Sequence, residues 1–197
     1  MTRVIRSDER YRGSQDGVQS WHCFAAGPHY DQDNVAFGAL IGFDEHVIGP
    51  GSGFAWHGHR GVEILSWVLA GTLHHEDSDG RVRLVEAGQV LWQSTGSGIR
   101  HCEVNASASD PLRLVQMTLL GGGATPAVRI AVPPLDVDGA RFDVWPAGGS
   151  VDAERWHVFV GQGSWALGSN SLASGDSVRG SGRLATDGSG ELLVWSL

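Results

Sequence analysis

The segment Gly51-Ser52-Gly53-Phe54-Ala55-Trp56-His57-Gly58-His59-Arg60-Gly61-Val62-Glu63 places two histidines one residue apart. In an extended chain alternate side chains share a face, so His57 and His59 point the same way and two imidazoles can reach one ion. Downstream, Gly96-Ser97-Gly98-Ile99-Arg100-His101-Cys102-Glu103 repeats the device, with His101 and Glu103 alternating onto one face. A lone His-x-His also occurs on exposed strands; the second pair and the flanking glycines give the pattern its weight. If the two strands oppose each other, three nitrogens and one carboxylate converge and leave one or two positions free for water, substrate or oxygen. Mixed imidazole and carboxylate ligation with open positions points to a divalent transition metal, foremost non-haem Fe(II), with Mn, Ni, Cu and Zn as alternatives.

Holding two such segments face to face is a task for strands. Short apolar runs bounded by Gly, Asp, Ser or Pro recur from Phe37 onward, and helical spacing is almost absent. The strands predicted most clearly are Phe37 to Ile48, Val62 to Ala70, Arg81 to Val85, Val90 to Gln93, Ile99 to Val104 and Leu112 to Leu120. Both parities of Val62 to Ala70 are largely apolar, so that strand must be covered on both faces. Glu76-Asp77-Ser78-Asp79-Gly80 is a hairpin signal, because Asp and Ser bond their own backbone and Gly supplies positive φ; its acidic cluster reads as a turn. With 29 glycines and 7 prolines, the chain reads as all-β. Residues 1–120 form the metal-binding barrel. Residues 121–150, opened by Gly121-Gly122-Gly123 and carrying Pro133-Pro134, read as a linker or crossing segment. Residues 151–197 are a short strand-rich piece with too little apolar material for a core of its own.

Composition removes several functions. Hydrophobic residues make up 41% and charged ones 18%, which suits a globular protein and not a disordered one. A net charge of −8 without clustered arginine argues against direct nucleic-acid binding. All 14 basic residues are Arg, so lysine-based covalent chemistry is absent. Cys23 and Cys102 are too few for a disulfide framework and form no CxxC, which fits a reducing cytosol. No apolar window is long enough for a membrane span, and the polar start of the chain lacks a signal-peptide core, so the reading is cytoplasmic with no membrane partner. Phosphate-binding loops, dinucleotide fingerprints and Gly-x-Ser-x-Gly elbows are missing. Alternation turns Cys102 away from the metal, as a small buried hydrophobe. His74 and His75 flank the hairpin as structural residues. Arg60 and Arg100 read as surface ion-pairing groups near the mouth, and Trp56 and Trp67 are candidates to line an apolar cavity suited to a flat aromatic ligand.

Gly51-x5-His57-x-His59-x3-Glu63 resembles the first cupin motif, and Gly88 to Asn105 approximates the second, with Ser94 where Pro is usual. His57-Gly58-His59-Arg60-Gly61-Val62-Glu63, His75-Glu76-Asp77-Ser78-Asp79-Gly80 and Gly96 to Glu103 look like the signature segments of the pirin family, in that order. Ser20-Trp21-His22-Cys23-Phe24 and Leu112 to Met117 are also similar to family segments. The resemblance covers about Tyr11 to Leu120. It implies a jelly-roll cupin barrel that binds iron, followed by a second cupin-like portion, here shortened. It implies His57, His59, His101 and Glu103 as ligands, with Glu103 preferred to Glu63, which shares the parity of the histidines but has apolar neighbours. Gly58 stands where the family usually has Pro, which loosens the ligand strand. The activity implied is a quercetin 2,3-dioxygenase acting on a small aromatic flavonol, with Glu103 as ligand and catalytic proton acceptor. The alternatives are a non-enzymatic, redox-sensitive iron protein docking on a protein partner, and a cupin isomerase of sugars or small acids.

Overall fold

Gly-punctuated apolar runs become strands almost throughout the computed structural model, which describes residues 2–197. Among them there is no α-helix, only the 3-10 turn Gln32–Asn34. The strands are β1 (Arg3–Ile5), β2 (Tyr11–Gln15), β3 (Val18–His22), β4 (Leu40–Ile48), β5 (Gly53–His59), β6 (Val62–Ala70), β7 (Thr72–Asp77) and β8 (Val82–Glu86). They continue as β9 (Val90–Ser94), β10 (Ile99–Asn105), β11 (Leu112–Leu120), β12 (Ala127–Ala131), β13 (Leu135–Val137), β14 (Ala140–Leu167), β15 (Asn170–Ala173) and β16 (Ser177–Ser196).

The chain divides into two units, one of Tyr11–Val132 and one of Pro133–Leu197 joined by the segment up to Arg10. The division falls at Val132, later than residue 120, because Ala127–Ala131 pair with β9 and so belong to the first unit. Residues 3–5 pair with β16 and belong to the second.

The first unit is a jelly-roll-like sandwich of a seven-stranded sheet, β12-β9-β6-β11-β4-β3-β2, and a four-stranded sheet, β5-β10-β7-β8. Between them pack Val18, Ile48, Val68, Leu91 and Leu112 from the large sheet and Leu73 and Val85 from the small one. Stepping by two residues keeps a side chain on this inner face. Along β4 the sequence runs Ile48, His46, Asp44; along β11, Leu112, Leu114, Gln116; along β6, Val68, Ser66; along β3, Val18, Ser20, His22. The inner face is therefore apolar at one end and polar at the other. Ser66, Gln116, Asp44 and His22 lie side by side in one cross-strand row.

Two turns set this register. Asp16-Gly17, both at positive φ, form a two-residue hairpin between β2 and β3, the geometry that matches strand twist. The predicted acidic hairpin joins β7 to β8, where Asp77 Oδ1 accepts from the Asp79 and Arg81 amides at 3.0 and 3.2 Å.

The second unit has the sheet order β1-β16-β14-β13, with β15 on β14. Strand β14 is bent, so that Trp156 to Phe159 pair with β16 twice, at Ser177 to Gly180 and at Leu193 to Ser196. This double pairing lets a short piece of chain enclose an apolar cluster of its own, including Trp156, Val158, Trp165, Val178, Leu192 and Val194. The expectation that it lacked material for a core is corrected accordingly.

Candidate metal centre

His101 on β10 lies directly opposite His57 on β5, at the polar end of the inner face. The ligand atoms of His57, His59 and His101 all lie within 4.8 Å of one another. Beyond this pair the register slips, so that Ala55 and Trp56 together face Cys102. This bulge turns Phe54 inward, where its ring stands edge-on to His57 with centroids 6.4 Å apart, and leaves Trp56 exposed.

The tautomers follow from the hydrogen bonds. His57 Nδ1 is 2.7 Å from the Ala55 carbonyl oxygen, which only accepts, so Nδ1 carries the proton and Nε2 a lone pair. His101 Nδ1 donates to Gln93 Oε1 at 2.6 Å, which leaves its Nε2 lone pair facing His57 Nε2 at 2.9 Å. Protonation cannot easily relieve this, because burial, followed by the neighbouring His57, pushes His101 down to about 3. His59 is also lowered, by burial and then His57. Two facing lone pairs call for a cation, and 2.9 Å is close to the roughly 3 Å edge between neighbouring imidazoles bound at about 2.1 Å. The residues present therefore fit a divalent metal.

Glu103 stands beside this trio without joining it. Its oxygens accept from Gln116 Nε2 at 3.0 Å and Ser66 Oγ at 3.4 Å. Burial raises its carboxyl, and the bonds from Gln116 and Ser66, with the nearby His57, offset part of the rise. A cation nearby would stabilise its charged form.

Glu63 is excluded from the cluster. Its parity relation to the histidines ends at the turn Arg60-Gly61, because β5 lies in one sheet and β6 in the other. On β6 it projects from the face opposite Ser66 and accepts from Trp92 Nε1 at 2.5 Å.

His75, read from the sequence as structural, is buried against the site. Its Nε2 donates to Gln93 Oε1 at 3.0 Å and lies 3.2 Å from His101 Nδ1. Gln93 thus fixes the tautomer of His101, as groups behind metal ligands commonly do. The available signal was parity, since His75 and Asp77 sit opposite Glu103 and His101 on β7. Cys102 is half-buried, less enclosed than expected, and burial raises its thiol.

A cavity of about 720 Å³ opens beside His57, lined among others by Arg12, Ser20, His22, His46 and Phe54; this volume is typical of small-molecule sites. Neither tryptophan expected there contributes: Trp56 is exposed and Trp67 is buried on the outer face of β6. Phe54 takes that part. Arg60 and Arg100 line a separate, shallow hollow at His59.

Gly58 has an ordinary φ, and a Cβ there would meet only Arg100 Cγ at 3.4 Å and the Ile99 carbonyl at 3.5 Å. Gly58→Ala is therefore expected to stabilise the protein by about 0.5 kcal/mol, by restricting the unfolded chain, and to tighten metal binding; melting curves with and without metal check it. A second expectation concerns acid. Burial lowers His46 to about 4 and, with Arg179, His157 to about 3. Both are neutral in folded and unfolded chains above pH 6.5. As pH falls below 6.5 only the unfolded chain takes up the proton, so each removes about 1.4 kcal/mol of stability per pH unit until its folded value is reached. Denaturant titrations between pH 7 and 4.5 should show this slope, and His46→Gln should reduce it.

A sandwich with convergent imidazoles at the polar end of its inner face defines a cupin. The pattern of the pirin family matches residues 5–119, and the chain belongs to that family. It is 31% identical over 230 residues to a Mycobacterium tuberculosis protein provisionally named a quercetin 2,3-dioxygenase, covering 98% of this chain and 94% of that one. It is 38% identical over 128 residues to the quercetin 2,3-dioxygenase of Escherichia coli, covering 64% of this chain and 55% of that protein. The crystal structure of the bacterial pirin YhhW from Escherichia coli in complex with nickel(II) superposes with a TM-score of 0.89 at 26% identity, covering 100% of this chain and 99% of that one. No helix among the described residues is long and apolar enough to cross a membrane.

Proposed function

We propose that the protein is a metal-dependent dioxygenase that cleaves a flavonol such as quercetin with O2, using Fe(II) held by His57, His59, His101 and Glu103. The observation that carries this is the pair of facing Nε2 lone pairs at 2.9 Å, beside a buried carboxylate and on the wall of a small-molecule cavity. The names of the relatives and the nickel-bound pirin support the same reading.

The bound ion would supply Lewis acidity toward a ligand hydroxyl and access to O2 chemistry. The chain supplies the rest. Glu103, already raised by burial and steadied by Gln116 and Ser66, accepts the flavonol hydroxyl proton on its carboxylate. Phe54 and the sandwich walls pack against the flat ligand and exclude bulk water. Gln93 keeps a proton on His101 Nδ1 and so keeps Nε2 free.

The test is anaerobic purification with Fe(II), addition of quercetin and O2, and measurement of flavonol loss and carbon monoxide. Wild type turns over and His101→Ala does not; turnover that persists in the mutant would sink the metal mechanism. A metal-loaded protein with no turnover would favour the regulatory alternative.

A further inference from the structure

The wall of the cavity away from the histidine trio carries a second pair that the metal reading does not use. His22 Nδ1 lies 2.8 Å from Asp44 Oδ1, and the two residues are direct partners across β3 and β4. Asp44 therefore orients the ring by accepting a hydrogen bond from Nδ1–H, which leaves Nε2 as an acceptor. The space next to Nε2 is kept clear by Gly13, where a Cβ would come within 3.4 Å of it. Both Gly13 and His22 line the same cavity as His57.

The placement follows from the sheet register. Gln116, which holds Glu103, Asp44 and His22 occupy one cross-strand row, with strands about 4.8 Å apart. His22 is thus two strands, about 10 Å, from the residue gripping the carboxylate. That span suits a ligand of two or three fused or linked rings that has one oxygen at the trio and another polar group at the far wall. Other ionisable groups facing this region are His46 on β4, Arg12 on β2, Asp16 in the β2–β3 turn and His57 on β5. His46 stands between His22 and Phe54, with its Nδ1 paired to Ser20 Oγ at 2.8 Å.

We propose that His22, oriented by Asp44, binds a phenolic hydroxyl of the ligand remote from the oxygen seated at the histidine trio, so that the cavity selects polyhydroxylated over monohydroxylated aromatics. The remote hydroxyl donates to His22 Nε2; on full transfer the proton stays on the imidazole, which is paired with Asp44, and the negative charge stays on the ligand oxygen, with no electron exchanged. This rests on the flavonol reading and adds a specificity element to it.

The test is equilibrium binding to the full chain loaded with Zn(II), which takes no part in oxygen chemistry, comparing quercetin with 3-hydroxyflavone, which keeps only the hydroxyl destined for the trio. Wild type should prefer quercetin by about tenfold, the worth of one hydrogen bond of this kind. His22→Phe should bind both ligands alike while keeping its zinc content and melting temperature, and His22→Gln should retain part of the preference. Should His22→Phe fold poorly, Asp44→Asn, which lets the ring turn, must lower the preference. An unchanged preference in folded His22→Phe or Asp44→Asn overturns the proposal. Equal binding of both ligands by wild type overturns it alone, whereas binding of neither removes the flavonol reading and this inference with it.

Discussion

Replacing His101 by alanine should reduce metal content from about one ion per chain to a small fraction of that, and abolish any oxygenase turnover. His101 is fully buried and is the only one of the three histidines supplied by β10, so its loss leaves two imidazoles from a single edge strand. Metal affinity should fall by more than the 10–100-fold that follows removal of a partner behind a ligand. Stability should fall as well, by about 1–3 kcal/mol, because a fully buried ring is removed from the sandwich and Gln93 Oε1 loses its 2.6 Å donor, keeping only the 3.0 Å bond from His75. The two effects separate on comparison with metal-free wild type. If metal is the whole effect, the mutant melts with the metal-free protein; the broken buried bond predicts that it melts several degrees below it. Gln93→Leu is the intermediate case, expected to keep the ion at about 10–100-fold lower affinity. A His101→Ala protein with a full complement of tightly bound metal would show that the trio is not the site.

The trio was legible in the sequence because alternation is a local rule: His57 and His59 leave one face of β5, and His101 leaves the inner face of β10. Glu103 was legible to the same degree, yet its carboxylate is taken by Gln116 and Ser66, partners from strands whose pairing no local pattern reports. Parity misled at Glu63, where the chain changes sheets between β5 and β6 and the count of odd residues loses its meaning. It misled again at Trp56 and Trp67, the first turned outward by a bulge and the second buried on the outer face of β6. His22 and Asp44 were invisible as a pair, since only the β3–β4 register sets them opposite each other. In the second unit, β14 (Ala140–Leu167) runs across the boundary expected at residue 150 between a linker and a strand-rich piece, because Pro and Gly interrupt its apolar runs, and its double pairing with β16 is a long-range property.

Gly53→Ala should be the most damaging small substitution near the site. Gly53 pairs with Val104 across β5 and β10, and a Cβ there would overlap the Glu103 carbonyl oxygen and the Val104 Cα. Both are backbone atoms, so no side-chain rotation relieves the clash and β5 must move away from β10. Among the described residues strand β5 is the edge of its sheet, with β10 as its one neighbour, so the displacement carries His57 and His59 away from His101. The expected loss is about 3 kcal/mol, a fall of roughly 6–12 °C in melting temperature for a chain of this size, together with loss of bound metal. Gly51→Ala is the control. Its φ of +64° also disfavours a side chain, but a Cβ there would meet nothing within 4 Å, so it should lose only about 1–2 kcal/mol and keep its metal. If Gly53→Ala matched wild type in melting temperature and metal content, the close approach of β5 to β10 that sets the 2.9 Å spacing of His57 and His101 could not be what holds the trio together.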